Sequence, residues 1–354
     1  MFILLFLLNC FALSNESLQC LNKDKSNVDW YSIILYKKKY EADNQLFYNY
    51  FDSNKVSYTN LKYEKNTFPP FYINDIIKSN SGTANYVNYN SDNKKGIFVF
   101  DSSSSIFLYH GVDDLPFGES FDISSFDLSN DTVSTFLCIS LDKDGTDDMA
   151  NTLNLIDAPH SKNYNVQFSK ENKIDNSSPL FTLINGGLTE FPKYSIITNL
   201  RTSVNGELFT VFTKHQNTKE HPIESLLREY YQTGFFSKSC SINMQPTDCR
   251  FHDKRIININ ELTYNSEYYN RFTSGYEDLS KWLVGIEEDI VCTGDLDRSL
   301  ENKENTGNII CFKSKEVAAF LRGSISTYVN CEGQAVYYFG GIDLDYYGNE
   351  DEEY

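Results

Sequence analysis

The stretch from Tyr276 to Cys311 constrains this chain more than any other. It holds Glu277-Asp278-Leu279-Ser280-Lys281-Trp282, followed by Cys292-Thr293-Gly294-Asp295-Leu296-Asp297-Arg298. Two cysteines, Cys292 and Cys311, thus bracket a Gly-Asp-x-Asp-Arg turn, with a Ser-Lys-Trp upstream of it. The rest of the chain reads as the other half of whatever this segment faces.

Phe2 to Leu13 is nearly all apolar and uncharged. Ala12 and Ser14 are small residues at the spacing of a signal-peptidase site, which predicts cleavage before Asn15; the alternative is an uncleaved N-terminal anchor. The run is shorter than the roughly 18 residues a membrane span needs, and no later segment approaches that length. The expectation is a soluble, secreted or lumenal protein with no span after cleavage. Asn-x-Ser/Thr sequons at Asn15, Asn130 and Asn176 fit that route as glycosylation sites on surface loops. Of the 8 cysteines, Cys10 lies in the leader. The odd number that remains requires a free thiol or an intermolecular bridge, so the oligomeric state stays open.

With 354 residues and 40% hydrophobic content the chain can bury a large core or two packed halves. Its 25 Tyr and 26 Phe favour strands. Against 31 Lys+Arg stand 49 Asp+Glu, a net charge of −18. That balance opposes binding to a polyanion at neutral pH and loses its force near pH 5, close to the pI of 4.7.

Val28 to Tyr36, Thr135 to Leu141 and Glu207 to Lys214 read as strands, and Ile97 to Phe100 with Ile106 to His110 as a hairpin. Residues 41 to 92, rich in Tyr, Asn and Ser, read as loops and short edge strands, and residues 142 to 180 as polar and irregular. Pro222 suits the first turn of a helix with Leu226, Leu227 and Tyr230 on its apolar face. Ser314 is an N-cap candidate for a helix ending near Gly323. The acidic tail 343–354 reads as disordered. The interleaving predicts a mixed α/β fold. Asp142 to Asp148 invites a calcium-loop reading, but its Gly is misplaced and no bidentate Glu follows, so a solvated acidic loop is the better account. With 5 histidines and no nucleotide or zinc motif, neither a cofactor nor a metal is expected.

Metal-free phosphodiester cleavage needs a nucleophile, an acid for the leaving oxygen and fixed cations for the phosphate. Here the stretches VDWYSIILYK, KKGIFVFD leading to IFLYHGVDDLPF, FLCIS, EDLSKW and CTGDLDR, in order from Cys20 to about Cys331, resemble the deoxyribonuclease II family of acid endonucleases. The resemblance implies a phospholipase D-like pseudo-twofold of two α/β halves in one globular unit. After the leader 1–14, these are expected at 15–165 and 166–342. It further implies one His-x-Lys motif from each half, a phosphohistidine intermediate, no metal, and DNA as substrate with 3′-phosphate products.

The chain departs from that pattern at the decisive positions. His-x-Lys-Gly is replaced by Asn93-Lys94-Lys95-Gly96, and His-Ser-Lys-Trp by Leu279-Ser280-Lys281-Trp282. Asn forms no phospho-enzyme, and Leu has neither lone pair nor proton to give. The expectation is therefore a pseudoenzyme in which Lys95 and Lys281 still hold phosphate of DNA or another polyanion. Two alternatives remain: an active acid endonuclease using His110, which stands where the family carries a supporting histidine, and an extracellular interaction protein on a nuclease scaffold. His160-Ser161-Lys162 spells the missing tripeptide at the wrong place, where chance is the better account. His215, His221 and His252 fall outside the motifs and default to surface or interface positions. The resemblance also implies disulfides Cys292–Cys311, Cys20–Cys138 and Cys249–Cys331, with Cys240 left over.

Overall fold

The computed structural model describes residues 17–37, 46–80, 84–91, 94–112, 115, 133–168, 174–240, 243–264, 271–273, 278, 280–339 and 342–343. Asn93, Leu279, the leader, Asn15, Asn130 and residues 344–354 lie outside this set.

A short ribbon pairs Cys20–Leu21 (β1) with Asn27–Val28 (β2). The first large sheet contains Trp30–Lys37 (β3), Leu46–Asp52 (β4), Ser57–Lys62 (β5), Asn85–Asn90 (β6), Lys95–Phe100 (β7), Ser105–His110 (β8), Val133–Leu141 (β9) and Asn165–Gln167 (β10). Their order is β10-β6-β7-β8-β9-β3-β4-β5. The second contains Ile196–Arg201 (β11), Leu208–Lys214 (β12), Phe235–Lys238 (β13), Ile256–Thr263 (β14), Arg271–Thr273 (β15), Trp282–Gly285 (β16), Ile290–Gly294 (β17), Gly307–Lys313 (β18), Ile325–Val329 (β19), Ala335–Phe339 (β20) and Ile342–Asp343 (β21). Its order is β11-β12-β18-β17-β16-β13-β14-β19-β20-β21, with β15 paired to β14. The helices are Tyr72–Ser79 (α1), Lys143–Leu155 (α2), Pro179–Ile184 (α3), Arg228–Tyr231 (α4) and Lys315–Ser324 (α5).

The run β6-β7-β8-β9-β3 in one sheet matches β13-β16-β17-β18-β12 in the other, and every neighbouring pair in both runs is antiparallel. Each run continues into a capped helix. Asp142 Oδ1 accepts the Gly145 amide at 2.8 Å at the start of α2, and Ser314 Oγ accepts the Val317 amide at 3.3 Å at the start of α5. This is the mixed α/β, pseudo-twofold architecture that the resemblance implies.

Strand β3 shows why its sequence reads as an unbroken apolar run. Trp30, Ile34 and Tyr36 point into the layer between the sheets, whereas Tyr31, Ile33 and Leu35 point to the opposite face, under Phe68, Phe71 and α1. With a period of two and both faces covered, every position from Trp30 to Tyr36 is buried. Across the layer the Trp30 ring meets Phe312 with centroids 5.0 Å apart. Polar ties reinforce this contact: Trp30 Nε1 donates to Glu207 Oε2 at 2.5 Å, and the Asp29 carboxylate accepts the amides of Val204 and Asn205.

Three readings from sequence change. Residues 142–180 are not irregular throughout: the acidic run is the first turn of α2, because Asp142 is its cap, and Met149, Ala150 and Leu153 bury one helix face. Likewise β4, within the Tyr- and Asn-rich 41–92, is buried along its whole length. Two of its polar side chains pair inside, with Asn49 Oδ1 accepting the Asn60 amide at 3.0 Å and Tyr50 donating to Asp52 at 2.9 Å. After Pro222 the chain forms a π-helical turn, Ile223–Leu227, before α4, and Tyr230 is exposed while Ile223 and Leu227 are buried.

Disulfides join Cys20 to Cys138, Cys249 to Cys331 and Cys292 to Cys311, and Cys240 is a free thiol. The first ties β1 to β9; the third links residues directly opposite each other on β17 and β18. Among the described residues no helix is long and apolar enough to cross a membrane.

Candidate functional site at the seam of the two sheets

Strands β7 and β16 hold equivalent places in the two sheets, so the segments entering them, Lys94-Lys95 and Ser280-Lys281, come to the same end of the molecule. They meet at Asp295, just past β17. Its carboxylate accepts the Lys95 amide at 3.3 Å and the Asn308 amide at 3.1 Å, and its backbone carbonyl accepts Lys281 Nζ at 2.6 Å. Burial pushes the Asp295 carboxyl up to about 6, against the opposing pull of the Asn308 amide, Lys281, the Lys95 amide and Lys94. Lys94, Lys95 and Lys281 are half-buried, so they edge the seam while Asp295 lies beneath it.

Local packing explains the glycine of Lys-Lys-Gly. A Cβ on Gly96 would stand 2.5 Å from Tyr89 Oη on the neighbouring strand, so only glycine lets that buried ring cross. On the other side of Gly96, Tyr109 donates to the Gly294 carbonyl at 2.6 Å and links β8 to β17.

The Gly-Asp-x-Asp-Arg turn is scaffold. Asp297 accepts the amides of Cys240 at 2.8 Å and Ser299 at 2.9 Å, and also the Asn302 side chain. Burial works upward on this carboxyl, but Lys281, Ser299 and the Cys240 amide outweigh it and hold it near 2. Arg298 is 1% exposed. Its guanidinium is consumed by Glu224 at 2.8 Å, Asn258 at 2.6 Å and the Pro246 carbonyl at 2.7 Å, so it is not a phosphate ligand. Glu224 in turn faces His221 Nδ1 at 2.8 Å, whose Nε2 lies 2.6 Å from the Asp297 carbonyl.

Around Leu279 the flanking residues are tied into a buried network that sequence reasoning missed. Lys238 Nζ donates to the carbonyls of Ser239, Asp278 and Ser280 at 2.8, 2.7 and 3.2 Å. The Asp278 carboxylate accepts Tyr264 at 2.6 Å and the Ser280 amide at 2.8 Å. Lys238 ends the short buried strand Phe-Phe-Ser-Lys, and nothing in that pattern points across 40 residues to Asp278.

The histidines disperse. His110 is 0% exposed, with Nδ1 3.1 Å from the Val112 carbonyl, so its ring does not open onto solvent. His215 and His221 are buried rather than superficial: His215 stacks on Phe191 at 4.0 Å and His221 belongs to the Arg298 network. His252 is exposed beside Asp253. His160 is exposed and close to the seam, 2.5 Å from Asp157. Asn176 is exposed in the turn before α3. Among the described residues no group of three or more His, Cys, Asp or Glu side chains could hold a metal.

Two matched sheets that bring lysine-bearing segments from equivalent strand ends to one seam define a phospholipase D-like scaffold. The family model for deoxyribonuclease II matches residues 19–331, and the chain belongs to that family. Plancitoxin-1 of Acanthaster planci is 21% identical over 359 residues, covering 90% of this chain and 94% of its own. Deoxyribonuclease-2-beta of Homo sapiens is 22% identical over 359 residues, covering 94% and 96%.

Proposed function

We propose that this protein binds the phosphates of DNA or another polyanion at the seam but does not perform the phosphohistidine cleavage of its family. One observation carries the reading: Asn93 and Leu279 occupy the two positions where that chemistry needs imidazoles, while Lys95 and Lys281 remain. Losing one member of a catalytic unit commonly costs several orders of magnitude in rate, and here both are gone. The rival nucleophile, His110, has no solvent exposure, which disfavours a working nuclease built on it.

In this reading residues 1–14 are a cleaved leader, and 15–165 and 166–342 are the two halves of one unit. Asn15, Asn130 and Asn176 carry glycans, and the protein works in the extracellular space or a lysosome-like lumen. The apolar leader, the sequons and the disulfides support that route. The test is digestion of supercoiled plasmid at about pH 5 with chelator, beside a salt-dependent binding titration with single-stranded and duplex DNA. Binding without cleavage is expected. Cleavage that survives purification and vanishes in His110→Ala overturns the inactive assignment; no binding at low salt leaves the outer surface as the working face.

A further inference from the structure

The tripeptide His160-Ser161-Lys162 is distant in sequence from the first motif, yet the fold brings His160 beside it. Lys94, which follows Asn93, donates through Nζ to the carbonyls of Ile156 at 2.8 Å and Asp157 at 2.7 Å. The carboxylate of the same Asp157 lies 2.5 Å from His160 Nδ1. Asp157 serves both partners because its backbone is left-handed, at φ 58° and ψ 42°, a conformation that Asp tolerates better than most residues. Holding it there sends the carbonyl to Lys94 and the carboxylate to His160. Each partner keeps capacity for a ligand: an ammonium has three donors, of which Lys94 uses two among the described residues, and Nε2 of His160 sits on a side chain that is 62% exposed. Next to it, the buried Ser161 hydroxyl has no hydrogen-bond partner among the described residues.

We propose that Lys94 and the Asp157–His160 pair form an acid-activated phosphate subsite on the rim of the seam, taking a phosphodiester of the nucleic acid that the seam binds. The charge count gives the reason. With a neutral imidazole, Lys94 and Asp157 cancel; protonation of His160 leaves the cluster one positive charge in excess. Imidazole is the side chain that changes charge between pH 5 and 8, and an extra cation on a phosphate contact strengthens binding most at low salt.

The surrounding groups leave His160 as the switch. Buried His215, which interacts with both Asp157 and Lys94, is pushed down by burial and so favours its neutral form. Lys214 is committed to the carbonyls of Asn302, Lys303 and Asn305. Lys162 is exposed, and Asp295 acts on Lys94 from the far side. Of the helices packed against 158–160, α3 has no titratable side chain, and the charges of α2 (Lys143, Asp144, Asp147 and Asp148) lie in its first turns, away from the end that leads to Asp157.

This inference rests on the polyanion-binding reading, and the experiment separates the two. Anisotropy of a short labelled oligothymidylate is measured at about pH 5 and about pH 7.5, at one low ionic strength, for wild type, His160→Gln and Lys281→Met. His160→Gln is expected to match wild type at the higher pH and to lose roughly fivefold of the acid gain; retention of the full gain overturns the subsite. Lys281→Met is expected to weaken binding at both pH values, which tests the seam and not the rim. Should wild type bind no oligonucleotide, the seam reading fails and inorganic phosphate decides the subsite by NMR. His160 ring signals that shift with phosphate at about pH 5 sustain it, and unmoved signals overturn it.

Discussion

The Lys95 amide, from the first sheet, donates to the Asp295 carboxylate, from the second, at 3.3 Å. One buried carboxyl therefore holds the entry to β7 against the Gly-Asp-x-Asp-Arg turn, while its own carbonyl anchors Lys281. The two half-motifs are registered on each other through a residue with no place in the His-x-Lys pattern.

Asp295 predicts a specific pH signature. Its folded pKa, about 6, is raised from an ordinary value of 3.8, so ionising it costs the folded state. The penalty is absent below about 3.8, grows as pH rises, and is complete above about 6. The stability of Asp295→Asn relative to wild type should therefore rise by roughly 2–3 kcal/mol between those limits, on top of a constant loss from the weaker acceptor. Denaturant midpoints across that window measure it, and a flat difference rules out the burial argument.

Glu224 should behave in the opposite sense. Burial works against its ionisation, but His221 and Arg298 prevail and hold it near 2, below its ordinary 4.5. Its contribution is present above pH 4.5 and is lost as pH falls toward 2. Glu224→Gln leaves the Arg298 guanidinium buried and short of a partner, which costs about 3–5 kcal/mol at neutral pH. The loss should fade in acid unfolding curves below pH 4.5.

Gly96→Ala should destabilise by about 1–3 kcal/mol, because a Cβ there meets the Tyr89 Oη and Cζ atoms of a fully buried ring. Adding Tyr89→Phe removes the nearer atom and should recover part of the loss. Urea midpoints of the single and double variants test this, and an additive double variant would show that the contact is not the cause.

Asn93→His with Leu279→His should create metal-independent nicking of plasmid at about pH 5, whereas neither single change should do so, since the family chemistry needs nucleophile and acid together. An inactive double variant of unchanged melting temperature would mean that the seam has lost more than two imidazoles.

How much of this was legible in sequence depended on the range of the interaction. The hairpin at Ile97–Phe100 and Ile106–His110, the strand before Asp142 and the capped helix after Ser314 carry local signals, and each is found within a residue or two. Helix α2 was hidden because an N-cap aspartate followed by acidic first-turn residues looks like a solvated loop. The Lys238–Asp278 and Arg298–Glu224 networks were hidden because buried charges carry no periodic mark. The nearness of His160 to Lys94 is hidden because it is set by Asp157, which contacts both, and not by spacing along the chain.

The sequence by itself determined the family, the alternation that buries both faces of β3, and the absence of histidine at positions 93 and 279, because motif spacing and residue identity are properties of the chain. Only the tertiary structure decided which charges are spent on the scaffold, as Arg298 and Lys238 are, and which reach the seam, as Lys94, Lys95 and Lys281 do. Burial and the pairing of distant strands set that division, and neither is written in the local pattern.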